Sequence, residues 1–190
     1  NYDAQKVWVD NGENSGYLLA TEAVTTIAVD GANKKWLGTK RGVWYVSADG
    51  SKIIYNFNTK NSPLPSDYIR DISIDQKTGE VYFATDKGIV SFRNKAVDGG
   101  DDYFDVYAYP NPVRPGYSGT IAIKGLLRDA NVKITDIAGN MVFETTAEGG
   151  QAIWDGKSFS GDLVRSGVYL IISSNGDGTK TNITKLLIVR

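Results

Sequence analysis

The sequence predicts an all-β chain: a partial β-propeller of about two blades in residues 1–93, a linker in 94–102, and an immunoglobulin-like β-sandwich in 103–190. Three observations carry this expectation. Aromatic residues make up 11% of the chain and 21 of its 190 residues are Gly, a composition of sheets and tight turns. A motif made of short strands and Gly turns recurs with a spacing of 45 to 46 positions, measured from Ile27 to Ile72 and from Gly42 to Gly88. The last part of the chain carries about seven short strand-like segments at close spacing, the pattern of a sandwich. No window holds a helical period for three turns.

The repeat accounts for the first region. Thr26-Ile27-Ala28-Val29-Asp30 is echoed by Asp71-Ile72-Ser73-Ile74-Asp75. In the first copy Ile27 and Val29 alternate with Thr26 and Ala28, as a half-buried strand should. A polar turn and an aromatic strand follow each copy: Lys35-Trp36-Leu37-Gly38-Thr39, and Val81-Tyr82-Phe83-Ala84-Thr85. Thr39-Lys40-Arg41-Gly42 and Thr85-Asp86-Lys87-Gly88 then close tight hairpins, where Gly can take positive φ. Val43–Val46 and Ile89–Phe92 end the copies. Asn61-Ser62-Pro63-Leu64-Pro65 reads as the connection between blades, because Pro cannot donate to a central strand. Val7-Trp8-Val9 reads as an outer strand of an earlier blade.

Asn94 to Asp102 is polar and Gly-rich, with Asp98-Gly99-Gly100-Asp101-Asp102 at its centre, and is expected to be a solvated linker. Its carboxylates do not have the spacing of a calcium loop. Sandwich strands are expected at Tyr103–Tyr109, Thr120–Lys124, Asn131–Ile137, Met141–Thr145, Gln151–Trp154, Val168–Ser174 and Thr181–Val189, with Ala138-Gly139-Asn140 as a hairpin turn. Trp154 is assigned to the core and Asp155-Gly156 to its turn. In the final strand Leu187 and Val189 face one side and Leu186 and Ile188 the other.

Composition excludes several function classes. There is no Cys and no His, which removes Ser-His and Cys-His nucleophile pairs, the usual zinc sites and any disulfide framework. No carboxylate pair sits where one pKa would be raised for acid catalysis, so the chain is expected not to be an enzyme and to need no cofactor or metal. A net charge of −1 gives no pull towards nucleic acid. The chain starts at Asn1 without Met or a leader and is read as a piece of a longer protein.

Two resemblances follow from these residues. Leu64-Pro65, Ile72, Asp75, Thr85 and Gly88 resemble the regulator-propeller repeat, with a departure at Ala84, where that family prefers Gly. Tyr109-Pro110-Asn111-Pro112-Val113, Val132–Asp136 with Gly139, Trp154-Asp155-Gly156, Gly167-Val168-Tyr169 and the closing Lys185–Val189 resemble the C-terminal sorting domain of type IX secretion cargo. A related sandwich occurs in flagellar hook-capping proteins. The sorting resemblance implies export to the outer membrane surface or beyond, and partners in the type IX secretion and attachment machinery. In most members it also implies removal of the domain and joining to an anionic lipopolysaccharide. Propeller and sorting domain together resemble a propeller-bearing surface component of the attachment machinery. The recognition candidates it marks are Pro110, Asn111, Pro112, Gly167, Tyr169, Lys185 and Val189.

Alternatives stay open at this point. Tyr109–Pro112 also reads as a strand entrance with a Pro-fixed bend. Trp36, Trp44 and Tyr45 read as packing between sheets, against a glycan-binding platform. A sensory propeller of a two-component regulator would need a membrane segment and a kinase after the sandwich, and here the sequence ends at Arg190. Two blades cannot close a ring, so self-association through open strand edges is expected.

Overall fold

The computed structural model describes residues 5–10, 15–103 and 105–190. It is all-β and divides into two compact units, the first ending at Asn94 and the second running from Lys95 to Arg190.

The first unit opens with a hairpin of β1 (Trp8–Asp10) and β2 (Ser15–Tyr17). A four-stranded antiparallel meander follows: β3 (Val24–Val29), β4 (Lys35–Thr39), β5 (Gly42–Val46) and β6 (Ile53–Phe57). The second repeat forms β7 (Ile69–Asp75), β8 (Glu80–Thr85) and β9 (Gly88–Arg93). It has three strands among the described residues, one fewer than the first.

The repeated residues do the same work in both copies. Thr39 Oγ1 donates to Gly42 O (3.0 Å) and accepts from Arg41 N (2.9 Å). Thr85 Oγ1 donates to Gly88 O (2.8 Å) and accepts from Lys87 N (3.1 Å). Asp30 Oδ1 takes the amides of Ala32 and Lys34, and Asp75 Oδ1 those of Lys77 and Thr78, so each Asp folds the turn that follows its strand. Asp30 also ends in a buried group: Tyr45 Oη donates to Asp30 Oδ2 at 2.5 Å, and Asn94 Nδ2 donates to the same oxygen at 2.8 Å.

The two repeat sheets share one core of Trp36, Val43, Tyr45, Leu64, Ile69, Ile72, Val81 and Phe83. Trp36 is wholly buried and stacks on Tyr45 with ring centroids 4.0 Å apart. These aromatics are therefore packing residues. Gly38 is glycine because a Cβ there would meet Ile69 Cγ2 of the next sheet at 2.7 Å and Thr26 Cγ2 at 2.6 Å. Its counterpart Ala84 is half-buried and carries a Cβ.

The second unit is a two-sheet sandwich. One sheet holds β10 (Tyr107–Tyr109), β11 (Ile121–Lys124) and β14 (Gln151–Trp154), in the order β10-β11-β14. The other holds β12 (Asn131–Asp136), β13 (Met141–Thr146), β15 (Gly167–Ser174) and β16 (Thr181–Ile188), in the order β13-β12-β15-β16. The seven expected strands are all present. Phe104 lies outside the described residues, and the first sandwich strand begins at Tyr107. The fourth strand, β13, pairs with the third rather than with the fifth, unlike the constant-type immunoglobulin sheet. The reason is local. Asp136 Oδ1 accepts from Ala138 N and Asn140 N, and Gly139 sits at φ 86°, so β12 turns back on itself at once.

Alternation sets the core. Ile121, Ile123, Ala152 and Trp154 point inward from one sheet, and Val132, Ile134, Ile171, Leu186 and Ile188 from the other. Trp154 Nε1 donates to Lys157 O at 2.7 Å, across the turn that Asp155 and Gly156 form.

The expected linker needs correction. The first unit runs one residue into it, to Asn94, and residues 95–100 are built into the sandwich. Ala96 and Val97 are buried, Gly150 N donates to Val97 O at 2.9 Å, and Val97 and Gly100 form parallel bridges with Gly149 and Leu127. Asp98 pairs with Arg128 (3.4 Å) and Asp102 with Lys180 (2.6 Å). The glycines here permit close approach rather than flexibility. A Cβ on Gly99 would lie 2.7 Å from Arg128 N, and one on Gly150 would lie 2.4 Å from Asp98 O.

Two outcomes follow. Gly99→Ala or Gly150→Ala should destabilise the sandwich by about 1–3 kcal/mol, because backbone must move to admit the methyl. Thermal unfolding should then drop by several degrees; an unchanged midpoint would restore the linker reading. The second outcome concerns acid. The Asp49 carboxyl is held down to about 2 from 3.8, first by the Ser47 hydroxyl and then by the Ser51 hydroxyl and amide. Asp136 is lowered first by the Asn140 side chain, and Asp75 by the Thr78 hydroxyl. Each folded pKa lies below the unfolded one, so this contribution is complete above 3.8 and fades as pH falls towards about 2. Melting curves across that window should fall less steeply in Asp49→Asn than in the parent chain.

Candidate functional site

The recognition candidates fall on one corner of the sandwich, where the chain after β10 meets the end of β16. By sheet order β16 is an edge strand, with only β15 beside it. Its free edge is nevertheless occupied. Asn111 Nδ2 donates to Lys185 O at 2.9 Å, and Asn111 Oδ1 accepts from Leu187 N at 3.0 Å. The carboxamide thus takes the place of a backbone amide in a strand ladder. Two residues on, Val113 N donates to Leu187 O and Val113 O accepts from Val189 N, both at 2.8 Å, as a parallel bridge to Ile188. Every ladder group of the edge from Lys185 O to Val189 N therefore has a partner.

Pro110 and Pro112 flank Asn111, each preceded by a cis peptide bond. Neither Pro has an amide that would compete for β16, so the segment presents only the Asn side chain and then the Val113 backbone. Val113 itself is buried and ties the segment to the core.

The terminus is held from its other side as well. Arg190 N donates to Ser166 Oγ at 2.8 Å and Arg190 Nε to Val164 O at 3.1 Å. Ser166 precedes Gly167, which lies opposite Ile188 in the β15–β16 ladder. Gly167 is half-buried with no positive φ, and nothing in the structure requires glycine there.

Tyr169 departs from the recognition expectation. It is 7% exposed and packs edge-on against Trp154, with ring centroids 6.0 Å apart. Its hydroxyl donates to Arg165 O, four residues upstream, at 2.8 Å. This is the arrangement of a tyrosine corner at the start of the sixth strand. Burial, then the Asp136 charge, raises the Tyr169 pKa. The residue holds the fold of the corner and offers no surface to a partner.

The exposed groups lie on the outer face of β15 and β16. Val168 stands opposite Leu187, Leu170 opposite Lys185, and Ile172 opposite Ile183. Leu187 is 42% and Ile183 62% exposed, while Leu186 and Ile188 are fully buried. Lys185 is therefore an exposed cation within an apolar stripe, and Val189 ends it, 38% exposed. Motif reading missed Val168, Ile183 and Leu187 as surface candidates. Alternation around Lys185 was the signal that could have found them.

The family description that matches this region is the secretion system C-terminal sorting domain, over residues 107–190. Among solved structures, the chain is similar to PorZ, described as an essential bacterial surface component of the type-IX secretion system of Porphyromonas gingivalis. The identity is 32% and the TM-score 0.65, over 98% of this chain. The chain spans 25% of the length of that PorZ structure. Extracellular domains of a one component system and of a hybrid two component system of B. thetaiotaomicron match at 13% identity, over 95% and 92% of this chain and 28% of each of theirs. Their TM-scores are 0.32 and 0.34. No curated protein matches the chain.

Asn111→Ala should remove both side-chain bonds to β16 and cost about 1–2 kcal/mol, since the freed backbone groups are near solvent. Hydrogen exchange at Leu187 should quicken, while exchange in β12 stays slow. Equal protection of Leu187 in both proteins would show that the Asn111 carboxamide does not hold the strand.

Proposed function

We propose that the chain, whose residues 107–190 match the secretion system C-terminal sorting domain, is the C-terminal part of an exported type IX secretion surface protein. Its terminal sandwich acts as the sorting and attachment domain. The observation that carries this reading is the agreement between the family match and one compact unit that ends in the clamped strand. Likeness to PorZ over 98% of the chain favours a PorZ-like surface protein over other propeller cargo.

In this reading the sandwich is a folded signal. The Asn111 and Val113 contacts fix β16, which presents Lys185 and Leu187 beside Val168 on its outer face, with Val189 just beyond its end. Partners are components of the type IX secretion and attachment machinery at the outer membrane. An anionic lipopolysaccharide is the acceptor if the domain is removed after export. The chain performs no chemistry of its own.

The test is export of a fluorescent passenger carrying residues 95–190 in a type IX-competent cell. Surface display is expected, and loss of residues 186–190 should abolish it by removing Leu186 and Ile188 from the core. Lys185→Ala and Leu187→Asp change exposed positions and should leave the sandwich folded. Loss of display in these two would locate recognition on the outer face. The sorting reading is overturned if the fusion stays periplasmic while folded, or if the truncated signal is displayed as well as the intact one.

A further inference from the structure

Lys185 stands in apolar surroundings without a counter-charge. On the outer face Ile183 and Leu187 flank it along β16, Leu170 lies opposite it on β15, and Val168 and Ile172 stand diagonally across. Ile183, Leu187 and Lys185 are all exposed. The Lys185 ammonium makes no ion pair or hydrogen bond among the described residues. Lys133, in the same sheet and opposite Ile172, behaves differently. It pairs with Glu144 at 3.9 Å, and Glu144 also accepts from Asn131 Nδ2 at 2.9 Å. The carboxylate of this face is therefore committed elsewhere.

The ammonium has no open rim beside it. In the plane of the sheet Lys185 has Leu170 on one side and, on the other, Asn111, whose carboxamide donates to Lys185 O. A partner that covers Ile183, Leu187 and Val168 takes the ammonium out of water with them. Left unpaired in that contact, it would cancel much of what the apolar burial contributes.

Taking the sandwich as the sorting domain, we infer that the partner reading this face is a protein surface that sets a carboxylate against Lys185 inside an apolar contact. The apolar residues supply area. The ion pair sets the register and selects against neutral apolar surfaces. A protein fits this face better than an anionic membrane does. One cation adds roughly fivefold to membrane affinity, and attachment by charge uses a cluster of them. Lys133 is already paired and leaves Lys185 alone in that role.

The test exports the 190-residue chain with a fluorescent passenger at its N-terminus in a type IX-competent cell. It compares the parent with Lys185→Arg, Lys185→Met and Lys185→Glu. The position is exposed, and thermal midpoints of the purified chains, expected to match, separate folding from recognition. Arg keeps the charge and should keep display. Met keeps the stem and the apolar contact without the charge, and display should fall at least about tenfold. Glu should fall to background. Its second-site suppressors in the export machinery should replace an Asp or Glu by Lys or Arg. Vesicles of phosphatidylglycerol should not capture the purified chain. The inference is overturned, with the sorting reading left standing, if Lys185→Met is displayed as well as the parent, which makes the partner surface purely apolar. Capture of the parent but not of Lys185→Glu by the vesicles overturns it too, since the partner is then a membrane. A parent fusion that stays periplasmic while folded removes the sorting reading and this inference together.

Discussion

The sandwich depends on one constraint: its last strand must be held along both edges. β15 holds one edge through a continuous ladder from Gly167–Ile188 to Ser174–Thr181. Asn111 and Val113 hold the other, with four hydrogen bonds between 2.8 and 3.0 Å. An unprotected terminal strand would fray, and its bare edge would recruit other chains. With both edges held, Leu186 and Ile188 stay in the core and Lys185, Leu187 and Val189 stay outside. The orientation of the surface stripe is therefore a consequence of backbone pairing made far away in sequence.

Side chains at this corner act on backbone. Pro110-Asn111-Pro112 works on β16 through one carboxamide, and Tyr169 works through one hydroxyl on Arg165 O. Both shape the surface without forming much of it. A partner that reads the outer face of β15 and β16 would still be sensitive to every one of these residues, because each decides where that face lies.

In the first unit the matching constraint is close approach between the repeat sheets. Gly38 leaves the space that Ile69 fills, and Trp36 and Tyr45 stack where the two sheets meet. Asp30 then joins the end of the first strand to Tyr45 and Asn94, so the repeat is closed by polar contacts as well as by packing. The Thr-x-x-Gly hairpins recur with the same two hydrogen bonds in both copies because the turn geometry is local and does not depend on neighbours.

Local chemistry was therefore legible in the sequence. Alternation placed the seven sandwich strands, the repeat placed the two sheets, and Asp and Gly marked the turns at Asp30, Asp75, Asp136 and Gly139. These features rest on side-chain period and on φ preferences, which act over a few residues. The resemblance of residues 109–189 to sorting domains was legible for the same reason, since its motifs are turns and strand ends. Tertiary structure alone decided the rest. Gly99 read as flexible linker chemistry, yet it serves backbone packing against Arg128, because a glycine's lack of Cβ permits either use. Tyr169 read as a recognition residue and is buried, because its neighbours come from Trp154 and Arg165 on other elements. Asn111 read as a recognition candidate or as part of a Pro-fixed bend, and its partners lie 74 and 76 positions later in the chain. Sequence carries the donors and acceptors; only folding brings a side chain from one end of the domain onto the backbone of the other.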